Sequence, residues 1–299
     1  MRRLIVNADD FGFTAGVNRA IVETYKHGIV TSTTLMANGR AFENAVVLAK
    51  TVPGLAVGCH VVLIDGEPVL DAEQLPSITC TATNSSGIGF RNNLKSFAVR
   101  ALARRMDAGE IERETSAQIR KLQSAGLNVS HVDTHKHTHL FPQVLRPLLQ
   151  AARACGVRAV RNPFGPSKPL RSSELLRRPG LWTRYAEVKI LRTLATTFRD
   201  AAHRFGVITP DGTLGIVVTG ALDEQLFRAI ADVIPEGTWE FVCHPGYNDD
   251  DLKRADTRLR ESRETELSVL TMPEARELLS SQGIALISYH ELLATGIRP

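Results

Sequence analysis

Short apolar runs that alternate with helix-period segments constrain this chain's fold more than any other feature. Leu4-Ile5-Val6 reads as a buried strand, and a helix over about Ala15 to His27 follows it, with Val17, Ala20, Ile21 and Tyr25 on one face. The pattern predicts a strand at Ser32 to Met36, a helix over Ala41 to Lys50 and a strand at Leu55 to His60. A Pro- and Ser-containing excursion from Gly66 to Gly89 reads as a loop over a site. Helical patterns at Leu94 to Met106 and Ile111 to Ala125, the latter stopped by Gly126, lead to a strand before His131. A helix over Gln143 to Ala154 and strands at Arg158-Ala159-Val160, Ile216-Val217-Val218, Trp239 to Cys243 and Ile284 to Ile287 complete the set, with a helix over Glu224 to Val233. Repeated units of this kind predict an α/β protein with a mainly parallel sheet, open or closed into a barrel. The 299 residues carry no evident linker or repeat, so one domain over residues 1–299 is expected.

The run His131-Val132-Asp133-Thr134-His135-Lys136-His137-Thr138-His139 places four of nine histidines and a carboxylate at every second position. In an extended chain, side chains two apart share a face, so these five groups are expected to point one way. Neutral imidazoles and carboxylates are the natural ligands of a divalent cation, which makes a metal-dependent site the leading reading. The competing reading is a solvated, His-rich loop. Other ionisable residues converge on the same place. Asp9 and Asp10 follow the first strand, His60 the third, Arg161 the strand at 158–160, and His244 follows Phe241-Val242-Cys243. All fall at the C-terminal ends of strands, where such barrels build their active sites.

Composition narrows the setting. Apolar residues make up 43% and charged ones 23%, the profile of a folded chain. Cys59, Cys80, Cys155 and Cys243 are scattered, which argues against a disulfide framework or a thiolate zinc site; Cys59 and Cys243 read as small core fillers. The N-terminal apolar run is too short for a signal peptide, and no stretch approaches a membrane span, so a cytoplasmic protein is expected. The overall charge of +4 is uneven: from Arg161 to Arg204 ten basic residues face three acidic ones. This basic, amphipathic insertion, at about 164–206, reads as a lid able to rest on anionic lipid at the inner membrane face, or as a solvated surface helix. Its apolar side would serve a homodimer equally well. Nucleic acid is not expected, because no recognised binding motif accompanies the charge.

Asn7-Ala8-Asp9-Asp10-Phe11-Gly12, Thr31-Ser32-Thr33-Thr34, Gly58-Cys59-His60, the run from His131 to Pro142, and His244-Pro245-Gly246 together resemble the YdjC family of carbohydrate deacetylases. The resemblance covers nearly the whole chain. It implies a distorted or incomplete (β/α) barrel and one divalent metal held by an aspartate and two histidines, here Asp10, His60 and His135, with Asp9 as general base. Asp-His-His accepts zinc, magnesium, manganese, iron or cobalt, with zinc and magnesium favoured. His244 is the candidate proton donor to the departing amine. Arg161-Asn162-Pro163-Phe164 resembles the Arg-x-Pro-aromatic stretch of polysaccharide deacetylases, which implies that Arg161 orients Asp9. Asp133 is expected to orient a liganding histidine. His137 and His139 are expected behind the ligands or against substrate, and either competes with His135 for the metal. Within the family the chain resembles the hopanoid-biosynthesis deacetylases, which implies an N-acetylglucosaminyl hopanoid lipid as substrate, with a soluble chitooligosaccharide as the alternative.

Two readings from other classes compete. A two-histidine, one-carboxylate triad also serves non-haem iron oxygenases, but those favour all-β scaffolds. A non-catalytic metal- or lipid-binding protein would leave Asp9, Arg161 and His244 at the rim without a task.

Overall fold

The computed structural model describes residues 1–81 and 88–295. Seven strands form one parallel sheet: β1 (Arg2–Phe11), β2 (Ser32–Leu35), β3 (Ala56–Val61), β6 (Val132–Thr134), β7 (Gly212–Leu214), β8 (Gly237–Cys243) and β9 (Ile284–Leu286). The short pair β4 (Thr79–Thr81) and β5 (Ile88–Phe90) forms a separate antiparallel hairpin. The large sheet runs β6-β3-β2-β1-β8-β7, and β9 shares an edge of β1 with β2, pairing with its first residues.

From β6 the path continues through isolated parallel bridges, Val132 to Val160 and Ala159 to Ile208, and Thr213 N donates to Phe164 O at 3.1 Å. The sheet therefore curls into a distorted barrel whose last sector is only loosely laddered. Pro163 and Pro210 lie in that sector, and neither has an N–H to donate. The expected strand at 158–160 is accordingly reduced to bridges. The expected strand at Ile216–Val218 is instead a 3-10 turn, and β7 lies four residues earlier. Gly215, at φ +95°, makes the turn, and a Cβ there would lie 2.4 Å from Val242 O. Strand propensity in Ile-Val-Val is overridden by that close approach.

Alternation along the strands separates two apolar environments. Leu4, Val6 and Ala8 of β1 join the large core between sheet and helices, against Val17 and Ile21 of helix Ala15–His27. Ile5 instead meets Ala56, Ala159 and Ile208 inside the barrel, where Tyr289 and Leu292 from the helix Tyr289–Thr295 complete a small apolar cluster. Above that plug the interior is polar: Asn7, Thr34, His60, His131, Asp133, Arg161 and Glu240 are all buried. Gly58 makes room for this stack, since a Cβ would lie 2.6 Å from the His131 ring and 2.7 Å from its carbonyl oxygen. Gly58→Ala is expected to destabilise the fold by about 1–3 kcal/mol through overpacking. A urea melt with an unchanged midpoint would contradict that.

The excursion expected at 66–89 holds a 3-10 turn at Ala72–Gln74 and the hairpin; its residues 82–87 lie outside the described residues. The basic insertion forms helices Ser172–Arg177, Trp182–Leu191 and Ala195–Phe205. Leu175, Leu181 and Phe198 pack into the core, while Leu176, Trp182 and Ile190 are exposed. Part of its positive charge is spent on the body, through Arg178 to Asp223, Arg171 to Asp232 and Arg184 to the Thr219 carbonyl. Among the described residues, no helix is long and apolar enough to cross a membrane.

Candidate active site

The site begins with an irregularity in β1. Its register with β2 passes from Ala8 opposite Thr33 to Phe11 opposite Leu35, so β1 carries one extra residue across Asp9-Asp10. Asp10 takes a left-handed conformation, φ 69°. Consecutive strand residues normally point to opposite faces; the bulge lets both carboxylates reach the same cluster.

Asp10, His60 and His135 bring one ligand atom each to a common point. Asp10 Oδ1 lies 3.5 Å from His60 Nε2 and 3.4 Å from His135 Nδ1, and the two nitrogens are 3.3 Å apart. Oδ1 is buried and has no hydrogen-bond partner. Three donor atoms at these separations suit a cation with bonds of about 2.0–2.1 Å, whose tetrahedral edge is about 3.4 Å. The residues present therefore fit one divalent ion. Asp9, His60 and Asp133 form a second such group. His60 Nδ1 contacts Asp133 Oδ1 at 2.7 Å, however, which orients the ring and leaves Nε2 for the first group. Burial alone would depress the His60 imidazole, but Asp133, with Asp9 and Asp10, raises it to about 9.

Asp9 is held by Arg161. Nη1 donates to Oδ2 at 2.8 Å and Nη2 to Oδ1 at 2.6 Å, a two-pronged carboxylate pair. Asn7 Nδ2 also donates to Oδ1 at 2.9 Å, so Oδ2 keeps more free lone-pair capacity. Burial pushes the Asp9 carboxyl upward, yet the guanidinium outweighs it and keeps the group ionised far below the ordinary carboxylate range. Arg161, fully buried, also contacts Asp133 Oδ2 at 2.5 Å and Glu240 Oε1 at 2.7 Å. Three carboxylates thus share one cation. Tyr289 OH donates to Glu240 Oε2 at 2.7 Å, and the Tyr289 ring stacks on His131 at 3.5 Å, tying the barrel plug to the site.

His244, at the end of β8, places Nε2 3.9 Å from Asp9 Oδ2. Its backbone N donates to Glu266 Oε2 at 2.6 Å, and its Nδ1 has no partner. Burial depresses the His244 imidazole to about 4 and raises the Glu266 carboxyl to about 7. Burial therefore favours the neutral imidazole at His244.

The His-rich run departs from the expected alternation. Only Val132–Thr134 is a strand; Lys136 and His137 are left-handed, and a 3-10 turn spans His135–Leu140. His131, Asp133 and His135 therefore share the inner face as expected, and the alternation ends before His137 and His139. His131 lies deep in the barrel, its Nε2 3.2 Å from Asn7 Oδ1. His139 has both ring nitrogens engaged, Nδ1 with Thr134 Oγ1 at 2.7 Å and Nε2 with the Arg161 carbonyl at 3.1 Å, which removes it from the ligand set. His137 is half-buried with an unpartnered Nδ1, apart from the triad. Of the three alternatives, His135 is the one whose ring nitrogen lies with atoms of Asp10 and His60.

Sequence reasoning missed Glu240, Arg263, Glu266 and Tyr289. Glu240 did leave a trace, as a lone charge in the apolar run Trp239-Glu240-Phe241-Val242-Cys243. Arg263 and Glu266 sit in the polar segment Glu261-Ser262-Arg263-Glu264-Thr265-Glu266, where nothing distinguishes buried charges from solvated ones.

Known proteins match this chain over nearly its whole length. A carbohydrate deacetylase of Geobacillus stearothermophilus is 34% identical over 291 residues, 97% of this chain and 98% of its own. One from Brevibacillus brevis is 33% identical over 290 residues, covering 97% and 99%. The crystal structure of a proposed cellobiose-phosphate cleavage protein of Enterococcus faecalis V583 superposes with a TM-score of 0.75 at 27% identity, over 97% of this chain and 98% of that one. The family model described as YdjC-like protein matches residues 3–281, and the chain belongs to that family.

Proposed function

We propose that this protein is a metal-dependent carbohydrate N-deacetylase that hydrolyses the acetamido group of an N-acetylglucosaminyl substrate. The observation that carries the reading is the Asp10–His60–His135 triad with the Arg161-clamped carboxylate of Asp9 beside it. The deacetylase relatives, at about one-third identity, support the substrate class.

Asp10, His60 and His135 would hold a divalent cation, which when bound would supply Lewis acidity toward the amide oxygen and the attacking water. Asp9 Oδ2 takes a proton from the attacking water as its oxygen bonds to the carbonyl carbon. Arg161 fixes that carboxylate and keeps it ionised. When the C–N bond breaks, the nitrogen leaves with a proton delivered by His244 Nε2, and acetic acid and a free amine result. Because His244 rests neutral, its proton comes from the same water, relayed across the 3.9 Å from Asp9 Oδ2. Asp133 orients His60.

The finer reading is a lipid-linked sugar, an N-acetylglucosaminyl hopanoid, processed by a protein that rests peripherally on an anionic membrane. Exposed Leu176, Trp182 and Ile190 among the basic residues of the insertion give it a physical motive. A soluble chitooligosaccharide is the second reading, supported by charge already neutralised through Asp223 and Asp232. Acetate release from both substrates is the test, using protein stripped with a chelator and then restored with zinc or magnesium. Release from the hopanoid only after restoration is expected. Release from the sugar alone transfers the substrate, and equal release from stripped protein rejects the metal.

A further inference from the structure

Arg263 lies almost fully buried on the helix Glu261–Thr271, far from the metal triad in sequence. Its Nη2 donates to Asp10 Oδ2 at 2.5 Å, and its Nε donates to the Leu259 carbonyl at 3.1 Å. The guanidinium also lies 5.7 Å from the centre of the Phe13 ring. We infer that Arg263 is a positioning residue for the metal centre: by occupying Oδ2 it makes Asp10 a one-oxygen ligand and aims Oδ1 at the point shared by His60 and His135. The inference rests on the metal-dependent reading above.

Three observations favour this role over a plain structural salt bridge. The oxygen that Arg263 leaves free is the one that faces the two histidines and lacks any partner. Arg263 Nη1 is itself buried without a partner, a poor bargain if stability alone were served, because a buried donor left unpaired is costly. The same helix also grips the other side of the site. Gly246 N donates to the Arg263 carbonyl at 3.2 Å, and a Cβ on Gly246 would lie 2.9 Å from Arg263 Cδ. Glu266, one turn on, accepts from the His244 backbone. One helix therefore sets the orientation of a metal ligand and the loop that carries the proton donor.

The test is Co2+ and Zn2+ titration of metal-free wild type, Arg263→Met and Arg263→Lys, read by competition with a chromophoric chelator and by the visible spectrum of the cobalt protein. Methionine keeps most of the stem volume and removes the donor; lysine keeps a charge but not the planar fork. Arg263→Met is expected to bind both ions about 10–100-fold more weakly, the usual cost of removing a group that orients a ligand. Its cobalt spectrum is expected to change, because the freed carboxylate can present both oxygens. Arg263→Lys is expected to recover part of the affinity. Wild-type affinity and spectrum in a folded Arg263→Met protein would overturn the inference. If Arg263→Met does not fold, Arg263→Lys decides, since an unchanged affinity and spectrum there would also overturn it. Failure of the wild type to bind either ion would instead reject the metal-dependent reading itself.

Discussion

Asp9→Asn is expected to lower acetate release by about 10^3-fold, within the range for loss of a general base, while the protein keeps its metal. The geometry separates these two effects. Asp9 is not one of the atoms converging on the Asp10–His60–His135 point, and Oδ2, its less encumbered oxygen, faces His244. Asparagine has the same shape but no basic oxygen. Its amide nitrogen would also meet an Arg161 donor at one of the two positions where oxygens now accept, so a loss of stability of about 1–3 kcal/mol should accompany the loss of rate. Metal content by elemental analysis and turnover at saturating substrate measure the two independently. Turnover within tenfold of wild type would remove Asp9 as base. Loss of metal together with activity would move the ion toward the alternative group of Asp9, His60 and Asp133.

Arg161→Met is expected to produce the largest change in stability. The guanidinium is the shared counter-charge of Asp9, Asp133 and Glu240, all buried. Removing one partner of a buried pair typically costs about 3–5 kcal/mol, because the other charges remain without compensation. A fall in Tm of about 5–8 °C at pH 7 is consistent with that cost for a chain of this size. The pH dependence has a definite sign. The Asp9 carboxyl lies below its ordinary value of 3.8 in the folded protein, so its contribution is present above that pH and fades as the pH falls through the lowered range. The gap between wild type and variant should therefore narrow below about pH 4, where wild type loses the advantage that Asp9 supplies. A gap that widens on acidification, or a variant as stable as wild type at pH 7, would show that Arg161 is not the counter-charge the geometry makes it.

Much of the architecture was legible because apolar periodicity reports burial directly. Helix Ala15–His27 lies where its pattern put it, and β3 and β8 differ from expectation by only a residue or two. The ionisable residues at strand ends do gather at one rim, since that placement follows from strand direction alone. What the sequence concealed depends on backbone conformation and on partners distant along the chain. The alternation of the His-rich run fails at Lys136 and His137, whose left-handed conformations have no signature in side-chain type. Strand β7 was displaced by the turn at Gly215, which the neighbouring backbone of Val242 enforces. Glu240 and Arg263 acquire meaning only from Arg161 and Asp10, which lie 79 and 253 positions away. A charged residue's periodicity cannot say whether its counter-ion waits in the barrel.

The extra residue in β1 has a kinetic consequence. Because Asp9, the proposed proton acceptor, and Asp10, the proposed metal ligand, are neighbours in the chain, joined by a single peptide unit, the distance between their Cα atoms is set by covalent geometry and far less by the packing of surrounding elements. Thermal displacement of this central strand would carry both groups together, so under the proposed mechanism breathing of the surrounding helices should change how often substrate enters more than how well the attacking water is deprotonated. Rates measured at saturating substrate should then tolerate mild denaturant or warming better than rates at low substrate, a division of labour written into one bulge.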